Sequence, residues 1–372
     1  MRVLPGRVQK PDYVFLIVVF LLTFFGLVMI ASSSMVVSLE KYHSSYAYVI
    51  RQIGSLAIGL FLMYIGAKID YRIWKKNAAW LFIVALILLI LVYVPGIGIK
   101  INGARRWIGF GTHMFQPTEI IKVSFIIYLA AWLDKKGESI KNLFTGFLPF
   151  AVLIALVGFL IIKQPDLGTL SVIVISSAVM YFVSGASLSH IGLGAGSLVV
   201  LLGILIKAAP YRMQRLLVFM NPTADSQGAA YHINQALIAI GSGGIWGLGF
   251  GQSKQKYLYL PMAHTDSIFA IIAEELGFIR SGLILIVFIF LGVRGFRIAK
   301  NAPDNFGKLV AVGITTWILI QAFVNIASML NLMPMTGVPL PFISYGGSSL
   351  MFLLAAVGIM MNISKQSQKE LI

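Results

Sequence analysis

Long apolar stretches, separated by short polar connections, run along the whole of this chain. A helix of about 20 residues crosses the roughly 30 Å hydrocarbon core of a bilayer. In lipid the backbone has to satisfy its own hydrogen bonds, so each stretch predicts an α-helix. The pattern therefore predicts an all-α polytopic membrane protein, a single integral membrane domain over 1–372 with about ten transmembrane helices. The stretches fall at about 13–37, 50–67, 79–95, 118–133, 144–162, 168–184, 188–207, 266–293, 308–331 and 347–363.

Composition agrees with this pattern and narrows the chemistry. Of the 372 residues, 58% are hydrophobic and 11% are charged, a composition that soluble domains of this size do not have. The chain has no cysteine, which excludes disulfides, thiol catalysis and cysteine metal ligands. Its five histidines are scattered without metal-ligand spacing, so no metal site is predicted.

The net charge of +16 comes mostly from lysines and arginines in the connections between apolar stretches. Cytoplasmic loops of membrane proteins are enriched in these residues, and the bias favours both termini in the cytoplasm. The charge predicts contacts with anionic membrane lipids and no binding of nucleic acid. Two predicted extracytoplasmic loops, 96–117 and 207–265, are also basic. Either long loops follow the charge bias weakly, or their cations face an anionic substrate on the outer side.

The loop 96–117 contains two adjacent arginines, Arg105 and Arg106, beside a tryptophan. Such a pair can grip a phosphate bidentately, and it can equally anchor the loop at the lipid headgroups. Glu119 and Lys122 follow in the next helix, three residues apart on one face, and are expected to pair. The pair either neutralises two structural charges or belongs to a polar cavity.

Asp166 lies between two apolar stretches on the predicted outer side. It either caps the next helix or holds an arginine or a substrate group. The loop 207–265 contributes Arg212 and Arg215 as further cations. Its glycine-rich part lacks the spacing of nucleotide-binding loops, so the glycines are interpreted as tight turns and close backbone contacts.

Three carboxylates stand at and just inside the predicted helix that starts near residue 266. Asp266 is either an N-cap of this helix or a general base at the mouth of an outward-facing cavity. Glu274 and Glu275 lie about two turns deeper, roughly 12 Å along a helix. One of them is expected to pair with Lys122 or Arg280, because carboxylates inside a membrane need a partner.

The last polar cluster precedes the final apolar stretch. Gln321 and Asn325 are four residues apart on one helix face and need polar partners in the bundle. Three prolines within 334–341 exclude a helix and predict a stiff re-entrant segment. Ser344 and Tyr345 then open a glycine-rich helix N-terminus, a candidate anion site.

These motifs together resemble the SEDS family, whose members include FtsW, RodA and SpoVE. The amino-acid sequence of Pro339–Ser349 and the N-terminal span are more similar to the FtsW branch than to the RodA branch. Three residues depart from the family pattern: Met262 stands in place of Glu, Ser267 in place of Phe, and Thr118 in place of the commoner Ser. The matching segments are Gly103–Ile108, Gln116–Lys122, Gln164–Thr169, Asn221–Pro222, Ile240–Gly244, Leu260–Phe269, Glu274–Gly277 and Pro339–Ser349.

The resemblance implies a SEDS-type helix bundle with a large extracytoplasmic loop between spans 7 and 8, in the bacterial cytoplasmic membrane. It implies a peptidoglycan glycosyltransferase that polymerises lipid II at the outer face, with a class B penicillin-binding protein transpeptidase as partner. It implies Asp266 as the catalytic residue. The candidate substrate-binding residues are Arg105, Arg106, Lys122, Asp166, Arg212, Arg215, His264, Thr265, Ser344 and Tyr345. The candidate structural polar residues are Glu119, Glu274, Glu275, Gln321 and Asn325.

The implied reaction fits an aspartate base. An α-linked lipid diphosphate donor and a β-1,4 product require one inversion, which needs one base and no covalent intermediate. No cofactor is required by this chemistry, although a divalent cation, Mg²⁺ or Mn²⁺, on the diphosphate stays open. The alternative function is a lipid II flippase or another transporter, because buried ionisable residues also mark transport pathways.

Overall fold

The computed structural model describes residues 10–101, 103–110, 113–222 and 228–366. Parts of both predicted outer loops, at 102, 111–112 and 223–227, lie outside the described residues. Within the described ranges there are thirteen α-helices and three strands. The helices are α1 Tyr13–Tyr42, α2 Ala47–Lys68, α3 Tyr71–Lys76, α4 Ala78–Leu91, α5 Pro117–Lys136, α6 Leu148–Lys163, α7 Leu167–Val183, α8 Leu188–Lys207, α9 Pro210–Met220, α10 Tyr231–Gly243, α11 Ile268–Lys300, α12 Asn305–Met329 and α13 Gly347–Lys365.

Each of the ten predicted apolar stretches coincides with one of these helices. The helices α4 and α7 are apolar but short, and α5 carries several charges. That all ten helices cross the membrane stays a prediction. Seven helical stretches of the described chain are long and apolar enough to cross a membrane: Tyr13–Tyr42, Ala47–Lys68, Leu143–Lys163, Leu188–Lys207, Ile268–Lys300, Asn305–Met329 and Gly347–Lys365.

The helix α12 forms the centre of the bundle. In the most apolar 18-residue stretch of α12, 83% of the residues are buried within the protein, whereas only 6% are buried in the corresponding stretch of α8. A helix that is apolar all round belongs in a core or in lipid. The helices α5, α7, α11 and α13 pack around α12. In contrast, the other described residues leave nearly all of the apolar surface of α8 uncovered.

The predicted outer loop 96–117 contains a small antiparallel sheet. Its strands are β1 Gly98–Ile101, β2 Ala104–Phe110 and β3 His113–Phe115, in the order β1-β2-β3. The apolar alternation here is too short to have predicted strands. Gly103 follows an asparagine in the sequence and has a φ of +82°, a left-handed conformation that suits the tight turn of a hairpin.

The predicted outer loop 207–265 is only partly a loop. It contains α9 and α10, and α10 packs along the first part of α11. The turn after α10 lies against Gly277, where α11 is kinked with a φ of 82°. At the kink, backbone groups of the turn bond to backbone groups of α11. The Leu248 N–H donates to the Glu274 carbonyl, and the Phe278 N–H donates to the Gly244 carbonyl. Gly277 is roughly 14 Å along α11 from its first residue, so this turn reaches well down the helix.

Candidate active site around Asp266

Asp266 lies just before α11, but it does not cap the helix. The N-cap position belongs to Ser267, which makes no side-chain capping bond. The half-buried carboxylate of Asp266 instead accepts a hydrogen bond from the Thr265 hydroxyl at 2.9 Å. Of the two alternatives for Asp266, the N-cap is therefore wrong, because α11 begins at Ile268 and Ser267 takes the cap position.

The backbone of Asp266 is fixed from the central helix α12. The Asn325 side-chain amide donates to the carbonyl oxygens of Asp266 and Val338, both at 2.7 Å. One turn earlier, the Gln321 amide donates to the Pro339 carbonyl at 2.9 Å. These are the polar partners that the two amides were expected to need. They hold the Asp266 segment and the proline-rich segment side by side.

The proline-rich segment closes one side of the site. It is non-helical from Leu332 to Gly346, as its prolines predicted. A Cβ added to Gly337 would stand 3.5 Å from Asp266 Oδ2, so this segment passes directly beside the carboxylate. Ser344 accepts from the Leu340 N–H at 2.8 Å, and the Tyr345 N–H donates to the His264 carbonyl at 2.9 Å. Both residues thus bond within the protein, and their role in substrate binding stays a prediction.

Two basic side chains stand near Asp266. Exposed Arg215 donates to the Met335 carbonyl at 3.0 Å, two residues before Gly337. His232, at the start of α10, lies 2.6 Å from the Ser267 hydroxyl. Burial lowers the pKa of His232, the Asp266 carboxylate raises it, and Arg215 lowers it. The three groups therefore share one electrostatic environment. No motif marked His232 in the sequence.

His264 is packed into an aromatic cluster. Its ring centroid lies 4.4 Å from that of Tyr48 and 5.7 Å from that of Tyr345. Burial, and after it the charge of Lys41, lowers the pKa of His264 to about 4. A neutral, buried ring fits packing, and its role in substrate binding stays a prediction.

The adjacent arginines of β2 have different surroundings. Successive side chains of a strand point to opposite faces, and Arg105 is exposed whereas Arg106 is half-buried. Arg106 donates to the carbonyls of Gln164, at 2.8 Å, and Pro165, and its Nη1 lies 3.9 Å from Asp166 Oδ2. Asp166 also caps α7 by accepting from the Thr169 N–H. Arg106 is thus occupied within the protein whereas Arg105 is exposed, and contact of either arginine with substrate stays a prediction.

Two other predicted cations are occupied within the protein. The buried ammonium of Lys122 lies 2.9 Å from Glu119 and 2.9 Å from Gln321 Oε1, over the Trp317 ring. The predicted pairing of Glu119 with Lys122 is confirmed. The buried guanidinium of Arg212 donates to the Leu205 carbonyl at 2.9 Å. Direct contact of either residue with substrate stays a prediction.

The deeper carboxylates have other partners than predicted. Glu275 pairs with Lys256 at 3.1 Å, and Glu274 accepts from the Ser253 hydroxyl at 2.5 Å. Arg280 donates to the Trp246 carbonyl instead. The predicted pairing with Lys122 or Arg280 is wrong, because the turn beside the kink brings residues 251–256 across the two carboxylates. Helix spacing alone could not reveal this partner.

Comparison with known proteins identifies the family of this chain. A sequence profile for the FtsW/RodA/SpoVE cell cycle proteins matches residues 12–369, nearly the whole chain. The chain belongs to the FtsW/RodA/SpoVE family. Stage V sporulation protein E of Bacillus subtilis is 44% identical, covering 96% of this chain and 98% of the relative. A probable peptidoglycan glycosyltransferase FtsW of Geobacter sulfurreducens is 41% identical, covering 96% of each chain.

Solved structures of family members share the fold. A chain of a peptidoglycan synthase complex that coordinates polymerization and crosslinking superposes with a TM-score of 0.78 at 28% identity, covering 97% of this chain and 99% of that one. The rod shape determining protein RodA of Thermus thermophilus superposes with a TM-score of 0.72 at 28% identity, covering 97% and 98%. Together with the apolar helices, family membership identifies a multi-pass membrane protein.

Proposed function

We propose that this chain is a peptidoglycan glycosyltransferase that polymerises lipid II into glycan strands. The observation that carries the proposal is the half-buried carboxylate of Asp266, whose backbone carbonyl is held from the central helix α12 by Asn325. Relatives that cover nearly the whole chain are named as probable peptidoglycan glycosyltransferases. The similarity of this chain to these relatives and the position of the Asp266 carboxylate support the same activity.

The proposed reaction needs one base. Asp266 removes the proton from the 4-hydroxyl of the acceptor sugar as that oxygen attacks the anomeric carbon of the donor. The bond from this carbon to the lipid diphosphate breaks as the new β-1,4 bond forms, and the bonding electrons leave with the diphosphate. A single displacement inverts the anomeric centre, so no covalent intermediate forms on the protein.

The leaving diphosphate gains negative charge and needs cations more than a proton. Arg215 is the best placed guanidinium for this role, because it is exposed and bonded to the segment that borders Asp266. Arg105 is a second exposed candidate, on the sheet of the outer loop. In this scheme Lys122 and Arg212 stabilise the protein and do not contact the diphosphate, because their charged groups already bind protein atoms.

The proposal includes the protein's setting. We infer that both termini lie in the cytoplasm and that Asp266 opens to the outer face, where the basic loops meet anionic substrate. A class B penicillin-binding protein is the proposed partner, since the similar solved chain belongs to a complex that couples polymerization to crosslinking. Such a partner would cross-link the strand as it leaves the site.

The alternative of a lipid II transporter receives less support. Transport pathways are marked by ionisable groups that face a cavity. The buried lysines Lys122 and Lys256 are each paired with a glutamate and are therefore neutralised within the bundle. Such pairs fit a structural role.

Purified protein supplied with lipid II, with and without the partner transpeptidase, tests the proposal. We expect Asp266→Asn to abolish strand formation, while Asp134→Asn, a carboxylate paired with Lys75 at the far end of α5, retains it. Strand formation at the normal rate by Asp266→Asn would overturn the base assignment. If the unmodified protein makes no strands but moves lipid II across vesicles, the transporter is the correct function.

A further inference from the structure

His232 contacts the segment that carries Asp266. Its Nε2 lies 2.6 Å from the hydroxyl of Ser267, the residue that follows Asp266. Ser267 is fully buried, and its position at the start of α11 fixes where the helix begins. The Pro261 carbonyl and the Asp266 carboxylate both raise the pKa of this ring, which agrees with its position beside the segment 261–267. One side chain on α10 therefore bonds to the end of that segment.

The contact with Ser267 needs one donor and one acceptor. A hydroxyl can play either part, so Nε2 donates to the Ser267 oxygen or accepts from its hydroxyl. Burial lowers the pKa of His232, which favours the neutral ring with a single N–H.

The segment 261–267 is held from several sides. Met262 within it has a φ of 52°, which is unusual for a residue with a side chain, and its side chain is exposed. Asn325 on α12 holds the Asp266 carbonyl, and the Tyr345 N–H holds the His264 carbonyl. His232 is the contact that α10 adds, at the residue after Asp266.

We infer that His232 is a positioning residue for Asp266, which holds the segment 261–267 through Ser267 and so aims the carboxylate at the acceptor hydroxyl. This inference rests on the proposed function, in which Asp266 is the base. The charged groups that face the ring are the Asp266 carboxylate and the Arg215 guanidinium.

Polymerisation kinetics give the first test. We expect His232→Ala and Ser267→Ala each to lower kcat by about tenfold to a hundredfold with little change in KM, because misplacing a catalytic group by about 1 Å has effects of this order. Ser267→Thr keeps the hydroxyl and should restore most of the rate. His190→Ala is the matched control, since His190 is buried against Tyr181 on the helices α7 and α8, away from this site. It should keep the normal kcat.

A second measurement does not depend on activity. In protein labelled with ¹⁵N-histidine, the His232 signals are those that disappear in His232→Gln. The Nε2 signal shows whether this nitrogen donates to Ser267 or accepts from its hydroxyl. In Asp266→Asn the pKa of His232 should fall, because the neighbouring negative charge is removed. In Ser267→Ala the Nε2 signal should shift, because its hydrogen bond is lost.

The outcomes separate this inference from the proposed function. If Asp266→Asn still forms strands, the base assignment fails, whatever the histidine spectra show. If Asp266→Asn is inactive while Ser267→Ala keeps the normal kcat, the positioning role of His232 is wrong. An unchanged His232 pKa in Asp266→Asn would contradict it as well. Should His232→Ala fail to fold, the comparison of Ser267→Ala with Ser267→Thr decides.

Discussion

Lys256 and Glu275 form an ion pair of 3.1 Å inside the protein, with 3% and 0% of their side chains exposed. The pair joins the turn after α10 to the kinked helix α11, and Ser32 of α1 donates to the same carboxylate at 2.7 Å. Three parts of the chain therefore meet at one buried charge. The ion pair stabilises the position of this turn against α11 inside the bundle.

Removing one partner of this pair should destabilise the protein more than removing both. We expect Lys256→Met to lower the free energy of unfolding by about 3 kcal/mol or more, because it leaves Glu275 buried and unpaired. The double variant Lys256→Met/Glu275→Gln should recover part of this loss. Thermal unfolding in detergent measures both. A double variant that is as unstable as the sum of the two single variants would contradict a direct pairing.

The kink at Gly277 should tolerate no side chain. Gly277 has a φ of 82°, and a Cβ there would lie 2.2 Å from the Gly247 nitrogen. We expect Gly277→Ala to disrupt the contact between the turn and α11 and to reduce the yield of folded protein sharply. Gly282→Ala is the matched control on the same helix, because a Cβ at Gly282 meets nothing within 4 Å. A normal unfolding temperature for Gly277→Ala would contradict the kink.

Asn325 should affect both stability and activity. Asn325→Ala removes two hydrogen bonds to buried carbonyls, which should cost about 2 kcal/mol or more. It also releases the Asp266 backbone, so kcat of strand formation should fall by at least about tenfold. Asn301→Ala, beyond the far end of α11, is the control for loss of an asparagine amide. If Asn325→Ala keeps the normal kcat, the backbone of Asp266 does not need this support.

His264 should make the protein less stable in acid. Its folded-state pKa of about 4 lies below the ordinary 6.5, so the folded protein binds fewer protons than the unfolded chain between these values. The free energy of unfolding therefore has its full value above pH 6.5, and it falls by a total of about 3 kcal/mol as the pH is lowered towards 4. Unfolding temperatures of the unmodified protein and of His264→Phe, measured from pH 7 to 4, check this. The two curves should converge or cross as the pH falls; parallel curves would exclude a role for His264.

The two arginines of β2 should behave differently. Arg106→Ala removes bonds to the carbonyls of Gln164 and Pro165, so it should lower the unfolding temperature. Arg105→Ala should leave that temperature unchanged, because its side chain is exposed. If Arg105 contacts the diphosphate, its loss appears as a raised KM for lipid II. Equal loss of stability in both variants would contradict the alternation of side chains along β2.

Local rules in the sequence predicted a large part of this molecule. The apolar stretches located the helices, since lipid leaves the backbone no other regular structure in a single span. Spacing of three residues predicted the pair of Glu119 with Lys122, and the residue before a helix predicted the cap at Asp166. The prolines of 334–341 predicted a break in helical structure beside the site. In each case the cause and its effect lie within a few residues.

Contacts between distant parts of the chain depended on the tertiary structure. The sequence indicated that Glu275 needs a cation, but only the kink at Gly277 and the entry of the turn made that cation Lys256. Asn325 reaches the carbonyl of Asp266 across 59 residues, and His232 reaches Ser267 across 35. Periodicity states which face of a helix is polar, whereas the partner on that face is decided by how the helices pack. The sequence by itself determined the helices, the family resemblance and Asp266 as the candidate base; packing alone decided which distant side chains hold the segment that carries it.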